Sequence, residues 1–153
     1  MQIQAFKQTD TAELAGLFRE TVRSINSRDY STTQIEAWAS AVDDEEGFRE
    51  RLSSSDTLVA CMEGRIVGFI NLLNDGQLDC LYVHPEHQRQ GIASALLKKL
   101  EARAREASHI LLRTEASITA LPFFRKHGFM LVREQEVAFG DETFRNFMMK
   151  KNL

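Results

Sequence analysis

Apolar and polar residues alternate from Ile3 to Lys7. The period then lengthens, with Leu14, Leu17, Phe18 and Val22 recurring at helical spacing after Thr9 or Asp10, either of which can cap a helix. The chain is therefore expected to open as strand, then helix. A second helix is predicted from Ser31, with Ile35 and Trp38 on one stripe. Phe48 with Leu52 marks a third short one after the acidic run Asp43 to Glu46, which reads as a solvated turn and helix start.

From Thr57 the pattern changes period. Leu58 to Met62, a turn at Glu63 and Gly64, and Ile66 to Leu72 predict a β-hairpin. A turn around Asn74, Asp75 and Gly76 leads into Gln77 to Val83, a third adjacent antiparallel strand. It ends at His84 and Pro85, where proline cannot continue a ladder. Gly91 to Ala107 is rich in Ala, Leu, Lys, Arg and Glu, with Ile92, Leu96, Leu97 and Leu100 on one face, and predicts a helix across a glycine loop. His109 to Arg113 reads as a buried strand, Ser117 to His127 as a helix ended by Gly128, and Met130 to Phe139 with Thr143 to Met149 as a closing pair of strands. The order β-α-α-β-β-β-α-β-α-β-β predicts an α/β fold, a mixed sheet with helices on both faces. With 153 residues, 43% of them hydrophobic, one domain spanning 1–153 around one core is expected.

Charge narrows the partners. Lys and Arg number 19 against 22 Asp and Glu, a formal net of -3, which supplies no field for nucleic acid. Cys61 and Cys80 lie in apolar runs without the paired spacing of a metal cluster, and no histidine has ligand spacing, so no metal is expected. Two buried free thiols suit a reducing compartment. The N-terminus has no basic stretch followed by an apolar one, and no apolar run approaches ~20 residues, so the expectation is a soluble cytoplasmic protein without membrane attachment.

The densest local signal is the passage from strand to helix, Leu81-Tyr82-Val83-His84-Pro85-Glu86-His87-Gln88-Arg89-Gln90-Gly91-Ile92-Ala93. A loop entering a helix exposes backbone N–H groups without intrahelical partners, and the helix dipole adds partial positive charge there. Gly91 and Ala93 allow a diphosphate to approach the backbone. The loop lacks the lysine and hydroxyl pair of a nucleotide P-loop and the three glycines of a dinucleotide fingerprint. It resembles the pattern of the GNAT superfamily of N-acetyltransferases: Arg or Gln, two variable residues, Gly, one variable residue, then Gly or Ala, matched by Gln88, Gly91 and Ala93. Ser117 to Phe129 is similar to that family's second cleft helix and following strand, and the match runs from about Leu58 to the end. The stretches Tyr30 to Trp38 and Ala116 to Phe124 also resemble a bacterial YafP-like subgroup.

The resemblance implies a mostly antiparallel sheet whose parallel strands splay, parting after Tyr82, around acetyl-coenzyme A as acetyl donor. It implies cofactor contacts from Leu81, Tyr82 and Val83, from Gln88, Arg89, Gln90, Gly91, Ile92, Ala93 and Ser94, and from Ser117, Phe123, Phe124 and Lys126. The Val83 N–H would polarise the thioester carbonyl. Many relatives carry a tyrosine where Phe124 stands, and its hydroxyl protonates the leaving thiolate; a phenyl ring cannot. Either the thiolate leaves unaided, or water, Ser117 or Tyr82 serves, or the enzyme is slow.

A base must also take the amine proton. Asp79 is the first candidate, on the cofactor strand and alternating with Leu81 and Val83, with Cys80 on the opposite face; Glu115, near the start of the cleft helix, is the alternative. The acceptor, a primary amine of a small molecule or peptide, is expected against Tyr30 and Trp38 with the acidic run Asp43 to Glu46 at the rim. Direct transfer is expected, because neither cysteine has a neighbouring histidine to activate it. The rival reading is a non-catalytic acyl-coenzyme A sensor, which Phe124 keeps open. A toxin acting on aminoacyl-tRNA would want a basic groove that the net charge does not supply. Phe144, Phe147 and Met148 make the final strand apolar enough to pair across a homodimer.

Overall fold

The computed structural model describes every residue from Met1 to Leu153. Strands β1 (Gln2–Ala5), β2 (Asp56–Met62), β3 (Arg65–Leu72), β4 (Gln77–Val83), β5 (Leu111–Ser117), β6 (Met130–Phe139) and β7 (Glu142–Asn152) form one open seven-stranded sheet. Their order is β1, β2, β3, β4, β5, β7, β6, and every pairing is antiparallel except β4 with β5. Five helices cover the faces: α1 (Thr11–Ser24), α2 (Thr32–Ala39), α3 (Glu45–Ser53), α4 (Ile92–Glu106) and α5 (Leu121–Lys126). None is long and apolar enough to cross a membrane.

The two helical layers bury different stripes. α4 and α5 close one face through Leu96, Leu97, Leu100 and Phe124 against Val67, Ile70 and Leu112. Leu96, Leu97 and Leu100 are at most 1% exposed, and burial of each contributes roughly 2 kcal/mol. Gly68 is closely packed here, because a Cβ would meet the Tyr82 carbonyl and Ile92 at 3.1 Å and Leu96 at 3.2 Å. α1, α2 and α3 close the other face through Leu14, Phe18, Val22, Ile35 and Leu52 against Phe69. The predicted hairpin turn forms at Glu63 and Gly64, both at positive φ (51° and 76°). Within the acidic run, Asp44 caps α3 by accepting from Gly47 N–H, and Asp43 pairs with Arg19.

Three expectations need correction. The strand predicted at His109 to Arg113 starts at Leu111 and runs on to Ser117, and the following helix is confined to Leu121–Lys126. Glu115, Ala116 and Ser117 are claimed by β7, where they face Met148, Phe147 and Asn146, and Pro122 sets the later helix start. Glu115 and Ser117 are thus strand residues, not helix-start residues. The final strand, β7, lies between β5 and β6 and has no free edge for pairing with a second copy; the free edges are β1 and β6. The third correction concerns where the parallel strands separate, and it shapes the site.

Candidate active site

β4 and β5 pair only at Gln77 with Arg113 and Leu78 with Thr114, and the Thr114 hydroxyl donates to Leu78 C=O at 3.0 Å. The strands part there, four residues before the Tyr82 expected from the sequence. Asp79 occupies a β-bulge: Asn71 faces Cys80 while Leu72 faces Leu78, so one residue of β4 is left without a partner. The bulge turns Asp79 away from Leu81 and Val83 and onto the face of Cys80, toward α3. That corrects both the alternation and the opposite-face placement of Cys80. Arg51 of α3 donates to one Asp79 oxygen and Asn71 Nδ2 to the other at 3.2 Å.

Past the bulge, β4 has one open side. His84 N–H donates to Val67 C=O while Val83 faces Gly68, which makes Val83 a non-hydrogen-bonded position toward β3 and aims its N–H at the gap beside β5. Leu81 has the same parity. The Val83 carbonyl is already satisfied, by Gln88 Nε2 at 2.6 Å and Thr21 Oγ1 at 3.1 Å. A cleft of about 490 Å³ fills the gap between β4 and β5 and extends under α1 and α2.

The loop after β4 delivers α4 to one end of this cleft. Gly91 caps the helix at φ +82°, a conformation that strains a side chain, and a Cβ there would meet nothing within 4 Å. No chain atom accepts from the N–H groups of Gln90 to Ser94, and α4 has no side-chain cap. Five amides without a partner and a helix dipole are therefore gathered at the start of α4, which fits a diphosphate. Ile92 is 3% exposed and Arg89 and Gln90 stand in solvent, so Ile92 can meet a ligand only through its backbone. The Ser94 hydroxyl bridges to His127 Nε2 at 2.9 Å, whose Nδ1 donates to Phe123 C=O at 2.9 Å, tying α4 to α5. Lys126 is exposed and does not line the cleft.

The opposite half of the cleft is aromatic. Nine of the chain's thirteen aromatic side chains line the cleft. Tyr30, Trp38 and Phe144 meet with ring centroids 5.3 to 6.0 Å apart. The Tyr30 hydroxyl donates to Arg145 C=O and accepts from Ile118 N–H, so Tyr30 braces the wall and offers its ring. Trp38 Nε1 donates to the Tyr82 hydroxyl at 3.3 Å, and Tyr82 packs between Phe18 and Phe69. Burial pushes the Tyr82 phenol far above its ordinary range, with the neighbouring Cys80 adding to the shift, so it keeps its proton. Burial, reinforced by Asp79, also holds the Cys80 thiol well above its usual value.

Arg51, Asp79 and Glu115 are the charged residues of the lining. Asp79 is matched by Arg51. Glu115, on β5, has no cation and accepts one neutral bond from Gln135 Nε2 at 3.3 Å. Ser117, at the end of β5, accepts from Ala120 N–H at 3.0 Å, leaving its O–H available to donate. Phe124 is 3% exposed, a core residue whose ring also walls the cleft. The acidic run Asp43 to Glu46 lies outside the lining. The sequence reading missed Arg51, Phe139, Phe144 and Asn146. A polar Asn146 inside Phe144-Arg145-Asn146-Phe147-Met148-Met149 was the one visible signal.

The comparisons with known proteins agree with this geometry. Residues 26–153 match the family described as acetyltransferase (GNAT) domain. The chain is 39% identical over 150 residues to the N-acetyltransferase YafP of Escherichia coli (strain K12), covering 98% of this chain and 95% of that protein. A GCN5-related N-acetyltransferase from Rhodopseudomonas palustris superposes with a TM-score of 0.97 at 35% identity, covering 99% of this chain and 95% of that one. The PaiA N-acetyltransferase from Thermoplasma acidophilum, solved with coenzyme A, shares the fold at TM-score 0.82 and 21% identity over 99% and 98% of the two chains. These likenesses span nearly the whole chain, and this chain belongs to the GNAT acetyltransferase family as an N-acetyltransferase, an enzyme of acetyl-CoA-dependent acetyl transfer.

Proposed function

We propose that the chain moves an acetyl group directly from acetyl-CoA to a primary amine in the cytoplasm, with the donor along β4 and the acceptor against the aromatic wall. The observation that carries this is the Val83 N–H, turned into the gap between the half-cleft of free amides and the half-cleft of aromatic rings. When bound, acetyl-CoA supplies the activated acetyl thioester. The amides of Gln90 to Ser94 hold its diphosphate, Leu81 offers a backbone partner to its pantetheine arm, and Phe123 and Phe124 wall that arm. The Val83 N–H donates to the carbonyl oxygen as negative charge grows on it.

Glu115 takes the proton that the amine loses. It is exposed and held by a single neutral amide, whereas both oxygens of Asp79 are engaged by Arg51 and Asn71. Asp79 instead fixes α3 to the bulge. Ser117, with its O–H free, is the hydroxyl of the lining left to return a proton to the thiolate, and Tyr82 is assigned to the acceptor wall because Trp38, Phe18 and Phe69 enclose it. Cys80 carries no acyl group, since its thiol stays protonated. Two free cysteines suit the reducing cytoplasm. The test is thiol release from acetyl-CoA across a panel of monoamines, polyamines, aminoglycosides, amino acids and peptides. Release with at least one amine is expected; tight acetyl-CoA binding without release from any would favour the sensor.

A further inference from the structure

Asn146 has no part in the chemistry above, yet it is the oddest residue in the cleft. Its Oδ1 is closed off from solvent and has no hydrogen-bond partner. Native proteins seldom leave a buried amide oxygen unpaired, because desolvation without a replacement bond is destabilising. Register explains the placement: Asn146 stands opposite Ser117 on β5 and opposite Gln135 on β6, so its side chain shares their face. Gln135 then reaches across β7 to Glu115. An unpaired carbonyl oxygen and an uncompensated carboxylate are thereby gathered on one patch of the sheet.

The charge count limits what this patch can take. Asp79 is neutralised by Arg51, so Glu115 is the one carboxylate of the lining left over for a ligand. A polycation would bring more charges than the cleft can match and would have to bury methylenes and ammonium groups among aromatic rings. A single ammonium meets an anion and a spare acceptor. Its remainder meets Tyr30, Trp38, Phe139 and Phe144, all of them lining. Phe139 sits at the tip of the β6 and β7 hairpin and is 44% exposed, an apolar side chain left uncovered at the mouth.

Resting on the acetyltransferase reading, we propose that the acceptor is a primary ammonium on an apolar, aryl-sized body, its charge held by Asn146 Oδ1 and Glu115 and its body by the rings of Tyr30, Trp38, Phe139 and Phe144. Asn146 is then a specificity-determining residue. The ammonium supplies the hydrogen bond that Oδ1 lacks, and the aromatic faces accept the positive edge of the ligand's aryl ring in edge-to-face contacts. The same amine surrenders its proton to Glu115 before attack, so recognition and activation share one carboxylate.

Trp38 is the chain's only tryptophan and lines the cleft, so its fluorescence reports occupancy. With coenzyme A present and no acetyl donor, 2-phenylethylamine is titrated against 2-phenylethanol, spermidine and 3-phenylpropionate. The amine should bind at least about tenfold more tightly than each of the other three, and Asn146→Leu should remove about tenfold of that affinity while acetyl-CoA binding by calorimetry stays unchanged. Because the substitution deletes an unpaired polar group, it should also raise the melting temperature by about 2–4 °C, which a structural role for Asn146 would reverse. Spermidine binding as tightly as the arylalkylamine, a preference for the carboxylate, unchanged amine affinity in Asn146→Leu, or a fall in its melting temperature would each overturn the proposal. Failure of the wild-type protein to bind acetyl-CoA would instead remove the acetyltransferase reading itself.

Discussion

The two halves of the cleft are made of different materials. The donor half is main chain: the amides of Gln90 to Ser94, the Val83 N–H and a glycine at φ +82°. The acceptor half is side chain, contributed by α1, α2, α3, β4, β5, β6 and β7, with aromatic rings on its walls and Glu115 and Asn146 among them. Backbone groups bind what every member of a cofactor class shares, because any sequence that reaches the same φ and ψ presents the same donors. Side chains can change without moving the chain, so the acceptor half can be rewritten while the donor half persists. Substitutions in the donor half should therefore abolish cofactor binding, and those in the acceptor half should spare it.

The largest effect is expected from Gly91→Glu. The left-handed backbone costs about 1 kcal/mol with a side chain present, and the new carboxylate would stand where a diphosphate binds. Calorimetry should show acetyl-CoA affinity reduced at least ~100-fold while the fold survives, since nothing lies within 4 Å of the added Cβ. Glu115→Gln comes next: turnover should fall by about 10²–10⁴ with acetyl-CoA affinity unchanged. Asp79→Asn sharpens that contrast. It should reduce turnover less than about tenfold and lower stability by about 1 kcal/mol, a modest figure because Arg51 is more than half exposed. A larger kinetic loss in Asp79→Asn than in Glu115→Gln would exchange their roles.

Ser117→Ala is expected to slow turnover about tenfold, measured with a good acceptor so that thiol release is the observed step. The smallest effect concerns pH. The Tyr82 phenol ionises above its ordinary 10.0 in the folded state because burial disfavours the phenolate. Its contribution to stability is complete below pH 10 and is lost as pH rises from there toward the folded value, since the unfolded chain ionises first. Urea melts from pH 9 to 11 should decline less steeply for Tyr82→Phe than for the wild type.

The sheet, its helices and the donor half were largely legible because each rests on local rules. Apolar runs bounded by turn residues marked β2, β3 and β4, the Ile92, Leu96, Leu97 and Leu100 stripe marked α4, and Gly91 marked the left-handed cap. Glu115, Ala116 and Ser117 fit a helix or a strand equally well by composition, and β7, more than 25 residues later in the chain, decided the matter by pairing with them. The bulge at Asp79 carries no glycine or proline to announce it, yet it reverses which face Asp79 shares. Asn146 and Glu115 come together only through the order β5, β7, β6, which no local pattern encodes. The acceptor half was illegible for the same reason that it can vary: it depends on register between distant segments.

The most direct test is a calorimetric titration of acetyl-CoA into three proteins, the wild type, Gly91→Glu and Glu115→Gln. Micromolar binding to the wild type and to Glu115→Gln, with none to Gly91→Glu, is the predicted result. Equal binding by Gly91→Glu and the wild type would contradict a donor half made of the α4 backbone, and loss of binding in Glu115→Gln would contradict the separation of the two halves.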